Sequence, residues 1–159
     1  MDENEIIERR ACISGVGQSE IGRRLFRDPL ELTVRSNHDG FVYVVMLGSD
    51  ATSFYLLFPN GFDADNRIRA NRPLRLPRPD WTLAARGPAG TDRMLVLVTD
   101  TPRDIAALTL SPPDGAAPFT YALTDLAGRS ALIDFLTGAG VTGRSESFGA
   151  RLLTLQEVP

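Results

Sequence analysis

Lysine is absent from this chain, and all 17 basic residues are arginine. Its absence excludes Schiff-base chemistry and the phosphate-binding lysine of a P-loop in one step. Cysteine and histidine each occur once. Cys12 therefore cannot close an internal disulfide, and with one histidine as its only plausible partner it makes a poor nucleophile. The cysteine count fits a reducing compartment or a periplasmic domain that needs no bridge, and does not choose between them. Long apolar runs are missing too: no stretch approaches the ~18 residues needed to span a bilayer. Met1–Arg10 is acidic and then basic, the wrong order for an export signal. Such a start suits a piece of a longer chain, whose other parts could hold a membrane anchor. Nor is there an excess of positive charge. A net charge of −3 and a pI near 5.2 provide no field to draw in a polyanion, so nucleic acid is not an expected partner.

What remains is an ordinary globular composition, 43% hydrophobic and 23% charged over 159 residues. That length fits one domain of about 100–200 residues with a real core. The reading is a lead-in over 1–28, then a single β-rich domain over 29–159.

Pro29–Ser36 alternates Leu30, Leu32 and Val34 with Glu31, Thr33 and Arg35, the period of two of a half-buried strand. Asn37-His38-Asp39-Gly40 reads as a turn, and Phe41–Leu47 as a second strand that completes a hairpin and is covered on both faces. Ser53–Phe58 would add a third strand to form a meander, ended by Pro59-Asn60-Gly61. Phe62–Arg72 is a polar loop, and the prolines around Leu74 and Leu76 restrict Pro73–Arg78 to an edge strand or extended segment. Trp81–Arg86 and Arg93–Thr99, flanking Gly87-Pro88-Ala89-Gly90, read as another hairpin. Thr101-Pro102 starts one or two helical turns over Pro102–Leu108. Ser111–Pro118 is a Pro/Gly break within the domain. Thr124–Thr137 places Leu126, Ile133 and Leu136, with Ala127 and Ala131, at helical spacing, with Gly138 to Gly140 as the stop. Ser147–Val158 adds a last strand. The expected fold class is mainly β, a β-sandwich-like domain with one or two short helices.

Linked motifs run through Gly40–Arg103. They are Gly40-Phe41-Val42-Tyr43-Val44, Leu56-Leu57-Phe58-Pro59-Asn60, Asp65-Asn66 with Ile68-Arg69-Ala70, Leu76-Pro77, and Gly87-Pro88-Ala89-Gly90 before Val96-Leu97-Val98-Thr99. In this order they resemble a bacterial domain of unknown function found C-terminal to serine/threonine kinase domains and caspase-like peptidases and in type VI secretion gene clusters. Phe148-Gly149-Ala150 fits more loosely before the family's last strand. The family pattern has Gly where this chain has Asn71, and Pro where it has Ala89. The resemblance implies an accessory module tied to signalling or secretion, with no catalytic residues to transfer.

The residues support that implication. Ser36, His38 and Asp39 contain the residue types of a hydrolase triad, but neighbours in one tight turn do not readily place an imidazole between the other two groups. Asp63, Asp65 and Asn66 suggest a cation loop, yet Arg67 falls where an oxygen ligand is required, which favours a structural turn. Gly15-Val16-Gly17 starts like a dinucleotide fingerprint, but Glu20 replaces the third glycine, which leaves a flexible loop. Asp125 and Asp134 read as the wet face of the helix. Among the aromatics, Phe41, Phe54 and Phe58 read as core, and Tyr55, Phe62 and Trp81 as exposed contacts.

The expectation is a non-catalytic binding or sensing module of a type VI secretion- or kinase-associated protein, with no catalytic residue, cofactor or metal assigned. The alternative is an assembly accessory that docks to secretion machinery without sensing. The expected partner is a protein, a secretion or envelope component, with a small-molecule ligand possible and no membrane insertion by this segment. Periplasmic placement is expected, with a cytoplasmic one as alternative. The candidate partner contacts are Tyr55, Phe62, Asp63, Asp65, Arg67, Arg69, Arg72 and Trp81; Arg favours carboxylates because its planar fork binds them bidentately.

Overall fold

The computed structural model describes residues 11–15, 20–24, 30–47, 54–83, 89–108, 110–111, 120–122, 126–138 and 148–158. The expectations placed on Met1–Arg10, Gly17, the turn Gly87-Pro88, most of Ser111–Pro118, Asp125 and Gly140 lie outside the described residues.

Strands dominate. They are β1 (Ala11–Gly15), β2 (Glu20–Arg24), β3 (Leu32–Ser36), β4 (Gly40–Leu47), β5 (Phe54–Phe58), β6 (Arg67–Ile68), β7 (Leu74–Leu76), β8 (Gly90–Thr99), β9 (Leu110–Ser111), β10 (Thr120–Ala122) and β11 (Phe148–Val158). Among the described residues, one α-helix, α1 (Leu126–Thr137), and a 3₁₀ turn at Ala106–Leu108 complete the elements. A three-stranded sheet has the order β1-β3-β7. An eight-stranded sheet runs β2-β11-β8-β4-β5-β10-β9, with β6 paired to β4. All pairings are antiparallel except that of β2 with β11. The mainly β fold class is therefore the observed one. Two strands lie inside 1–28, the stretch read as a lead-in: β1 joins the small sheet and β2 the large one.

The core has two halves because β4 is buried on both faces. Val42 and Val44 point to the small sheet, where they meet Leu32, Val34, Leu76, Met94, Val96 and Leu153. Tyr43 and Val45 point the other way and pack with Leu56, Leu97, Leu108, Leu132 and Phe135. Burying each such aliphatic or aromatic side chain contributes about 1.5–3 kcal/mol of transfer free energy. The domain is thus layered as small sheet, large sheet and helix.

Both expected hairpins, and the meander, need correction. β3 does not pair with β4; it pairs with β1 and β7, so the turn at Asn37–Asp39 carries the chain from one sheet to the other. Gly40 serves a close approach: a Cβ there would lie 2.5 Å from the Thr99 carbonyl oxygen on β8. Trp81–Leu83 is not a strand and does not pair with β8, whose neighbours are β4 and β11. Instead, the Leu30 N–H donates to the Leu83 carbonyl at 2.7 Å, tying this segment to the start of β3.

The expected edge strand is present as β7, which among the described strands pairs with β3 alone. The expected helical turns after Pro102 shrink to Ala106–Leu108, opened by Asp104, whose Oδ1 accepts the Ala106 N–H. Helix α1 ends as expected at Gly138, in left-handed conformation (φ 73°), with its N–H on the Asp134 carbonyl. Its buried face differs from the one expected. Leu132 and Phe135 are buried, while Ile133 is 60% exposed. The edge-to-face contact of Phe135 with Tyr43, ring centroids 5.1 Å apart, points Phe135 at the sheet.

Candidate functional site

The segment from Phe58 to Leu83 gathers most of the expected contact residues, and its geometry starts with an irregularity. Between β4 and β5 the register shifts at Val44/Val45, so that Val44 faces Phe58 and Val45 faces Leu56. Leu57 is the extra residue. A bulge of this kind re-aims the side chains beyond it. Phe58, which strict alternation would place beside Leu56, turns to the small-sheet side and is fully buried there.

The Phe58-Pro59 peptide is cis, and Asn60 organises the turn beyond it. Its Nδ2 donates to the Leu57 carbonyl at 2.9 Å, while its Oδ1 accepts the N–H groups of Phe62 and Asp63. Asn is suited to this because one side chain supplies both a donor and an acceptor to nearby backbone. Phe62 is left at the tip, 60% exposed.

Asp63 and Trp81, both expected as contact residues, are turned inward instead: they are 8% and 6% exposed. The indole Nε1–H of Trp81 donates to Asp63 Oδ2 at 3.1 Å. The other carboxylate oxygen, Oδ1, takes a hydrogen-bonded ion pair from Arg78 Nη1. The same Nη1 donates to the Asp65 carbonyl at 2.9 Å. The Arg78 guanidinium also lies over the Phe58 ring, 5.8 Å from its centroid, and Phe58 is nearly parallel to Trp81 at 6.3 Å. Arg78, Phe58, Trp81 and the Asp63 carboxylate thus form one closed group. A buried indole needs an acceptor for its N–H, and that requirement explains why Trp81 is not a surface ring.

Tyr55 is half-buried against the first half of the core. Asp65 is exposed, and its Oδ1 accepts the Arg67 N–H at 3.3 Å. The residue after it is a clamp: Asn66 Nδ2 donates to the Val42 carbonyl, and the Val42 N–H to the Asn66 carbonyl. Asp39 Oδ1 accepts the Ala70 N–H at 2.8 Å, and the Ser36 carbonyl accepts the Asn71 N–H at 2.7 Å. Asn71 sits at φ 60°, the left-handed region that favours glycine but tolerates asparagine. Arg67, Arg69 and Arg72 all project into solvent from this anchored backbone.

The would-be triad is a turn. Ser36 Oγ donates to the His38 carbonyl at 2.6 Å and accepts the His38 N–H at 3.1 Å. The imidazole Nδ1 faces Asn37 Oδ1, and Asp39 holds Ala70. The acids of the would-be cation loop are similarly engaged, Asp63 by Arg78 and Trp81 and Asp65 by the Arg67 backbone. Among the described residues no group of His, Cys, Asp and Glu gathers that could hold a metal ion. Likewise, no described helix is long and apolar enough to cross a membrane.

Residues 26–102 match the family model described as Domain of unknown function (DUF4384). This chain carries a domain of unknown function. The matched span runs from just before β3 to just after β8, so it contains the small-sheet strands β3 and β7, the bulge at Leu57 and the whole Phe58–Leu83 segment. It excludes β1, β2, α1 and β11. No curated protein and no solved structure matches this chain.

Sequence reasoning missed Arg78, which ends the row Arg67, Arg69, Arg72, Arg75 and Arg78 and is the one that turns back onto the core. It also missed the Asn60 side chain as the organiser of the turn. The Asn after Pro59 was a signal for the second; nothing local pointed to the first.

Proposed function

We propose that this chain is a non-catalytic recognition module, and that its contact surface is the Phe62–Arg72 loop. The observation that carries the reading is a division of labour within one segment. Asp63, Arg78 and Trp81 close the inside of the loop, while Phe62, Arg67, Arg69 and Arg72 are held outside on hydrogen-bonded backbone. Anchored loops on a rigid scaffold suit binding because little ordering entropy remains to be lost on contact. The engagement of Ser36, Asp39 and Asp63 with backbone and internal partners supports a module without catalytic chemistry.

The family match covers the same motifs that resemble the type VI secretion- and kinase-associated domain, and this supports placing the module in a bacterial protein of that kind. The partner is then a secretion or envelope protein on the periplasmic side. Affinity capture with this domain from separate periplasmic and cytoplasmic extracts, read by mass spectrometry, tests the proposal. Specific retention of an envelope or secretion component from the periplasm is the expected result. Retention of cytoplasmic signalling proteins alone would overturn the location, and no specific retention from either extract would overturn the recognition reading.

A further inference from the structure

Between Asn66 and Pro79 the chain contains Arg67, Arg69, Arg72, Arg75 and Arg78 and no acidic residue, in a protein whose acids outnumber its bases 20 to 17. Only Arg78 has a structural task. Arg67, Arg69, Arg72 and Arg75 are exposed, and among the described residues their guanidinium groups make no ion pair.

Arg35 joins them through the topology. On β3, Leu32 and Val34 face the core, so Arg35 lies on the outer face of the small sheet. On β7, Leu76 faces the core and Arg75 faces out, opposite Thr33. Arg35 and Arg75 are therefore diagonal neighbours, a spacing of about 7–8 Å. The Asn71 N–H on the Ser36 carbonyl brings the Arg69–Arg72 turn to the same end of β3. Arg35, Arg69, Arg72 and Arg75, four guanidinium groups of one sign, thus lie toward one end of the small sheet, whereas Arg67, opposite Phe41, faces the helix side of the large sheet.

Building on the recognition reading, we propose that this arginine band binds an extended, carboxylate-rich segment of a partner protein. Unpaired guanidinium groups on fixed backbone are pre-organised for bidentate contacts to carboxylates. The surroundings select a narrow partner. Glu31, Asp39, Asp65 and Asp80 are exposed around the band, and the chain is negative overall. A bilayer or a nucleic acid would bring its own negative charges onto those carboxylates; a single acidic strand can follow the arginines and avoid them.

The test is a fluorescence anisotropy titration of the full chain with a fluorescein-labelled oligo-glutamate peptide. A glycine-serine peptide and phosphatidylserine vesicles are titrated in parallel. Saturable, salt-sensitive binding of oligo-glutamate is expected, weakened at least roughly tenfold in a triple Arg69→Glu, Arg72→Glu, Arg75→Glu variant, since each exposed pair contributes a modest increment. Arg93→Glu, exposed on the opposite face of the large sheet, should bind like the parent. Trp81 emission reports whether each variant is folded. Binding of vesicles but not of oligo-glutamate would overturn the proposal in favour of a membrane, and equal binding by the triple variant would overturn the site. In the capture experiment, a partner retained equally by parent and triple variant would leave recognition standing and refute the band.

Discussion

Asp63 and Trp81, 18 residues apart, are joined by the indole N–H at 3.1 Å, and the same carboxylate pairs with Arg78. The loop tip is therefore supported by a buried charge whose partners come from beyond β7. Asp63→Ala removes the acceptor of a buried indole and the counter-charge of Arg78 together. A loss of about 2–3 kcal/mol is expected, below that of a deeply buried pair because Arg78 retains contact with water. Asp63→Asn keeps an acceptor for Trp81 and should lose less. Urea unfolding followed by the emission of Trp81, the only tryptophan in the chain, measures both. An unchanged midpoint for Asp63→Ala would show that the cluster does not hold the loop.

Gly40 marks a close approach of β4 to β8. A Cβ at 2.5 Å from the Thr99 carbonyl oxygen meets backbone, which cannot rotate away as a side-chain tip could. Gly40→Ala should therefore force the two central strands apart, at a cost of about 2–3 kcal/mol. For a domain of this size that lowers the melting temperature by about 4–10 °C. A calorimetric scan of the purified variant checks it, and a shift of a degree or less would mean that the strands adjust freely.

That glycine also shows where the sequence was readable and where it was not. Strands β3, β4, β5, β7, β8 and β11 were legible from local pattern, since Leu32 and Val34, or the β-branched run of β4, announce a buried face without reference to any partner; β1, β2, β6, β9 and β10 were not. Pairing was not legible. Asp39-Gly40 has the chemistry of a hairpin turn, and only the position of Thr99, 59 residues later in the chain, shows that the glycine answers a packing need instead. Phe58 was rightly placed in the core, but the bulge at Leu57 decides which half of the core it enters, and so creates the platform for Trp81. Trp81 itself was read as exposed because its acceptor lies across a loop. Of the candidate contacts, the arginines were legible as composition; that they form no ion pair among the described residues required the fold.

Tyr43 ties the sheet to the chain beyond β8. Its hydroxyl oxygen accepts the Arg103 backbone N–H at 2.6 Å in a buried setting, and its ring meets the edge of Phe135. Tyr43→Phe retains the ring contact and removes the acceptor, so about 1–2 kcal/mol should be lost. Phe135→Leu leaves the hydroxyl bond and removes the ring pair. If the two interactions are separate, the double variant combining these changes should lose close to the sum of the singles in chemical denaturation. A large coupling would mean that Phe135 positions the hydroxyl.

Ser36 and His38 allow the structural reading of the turn to be separated from a catalytic one. Ser36 is buried and its hydroxyl both donates to and accepts from the His38 backbone, whereas the imidazole is exposed. Ser36→Ala should cost about 1 kcal/mol, because the crossing between sheets loses a donor and an acceptor at once. His38→Ala should change stability by no more than about 0.5 kcal/mol, as exposed substitutions do. A general base would behave differently: its removal would leave folding intact and abolish turnover. Ester hydrolysis measured for the parent and both variants distinguishes the two, and turnover by the parent that disappears in His38→Ala would refute the reading of this turn as a hinge between sheets alone.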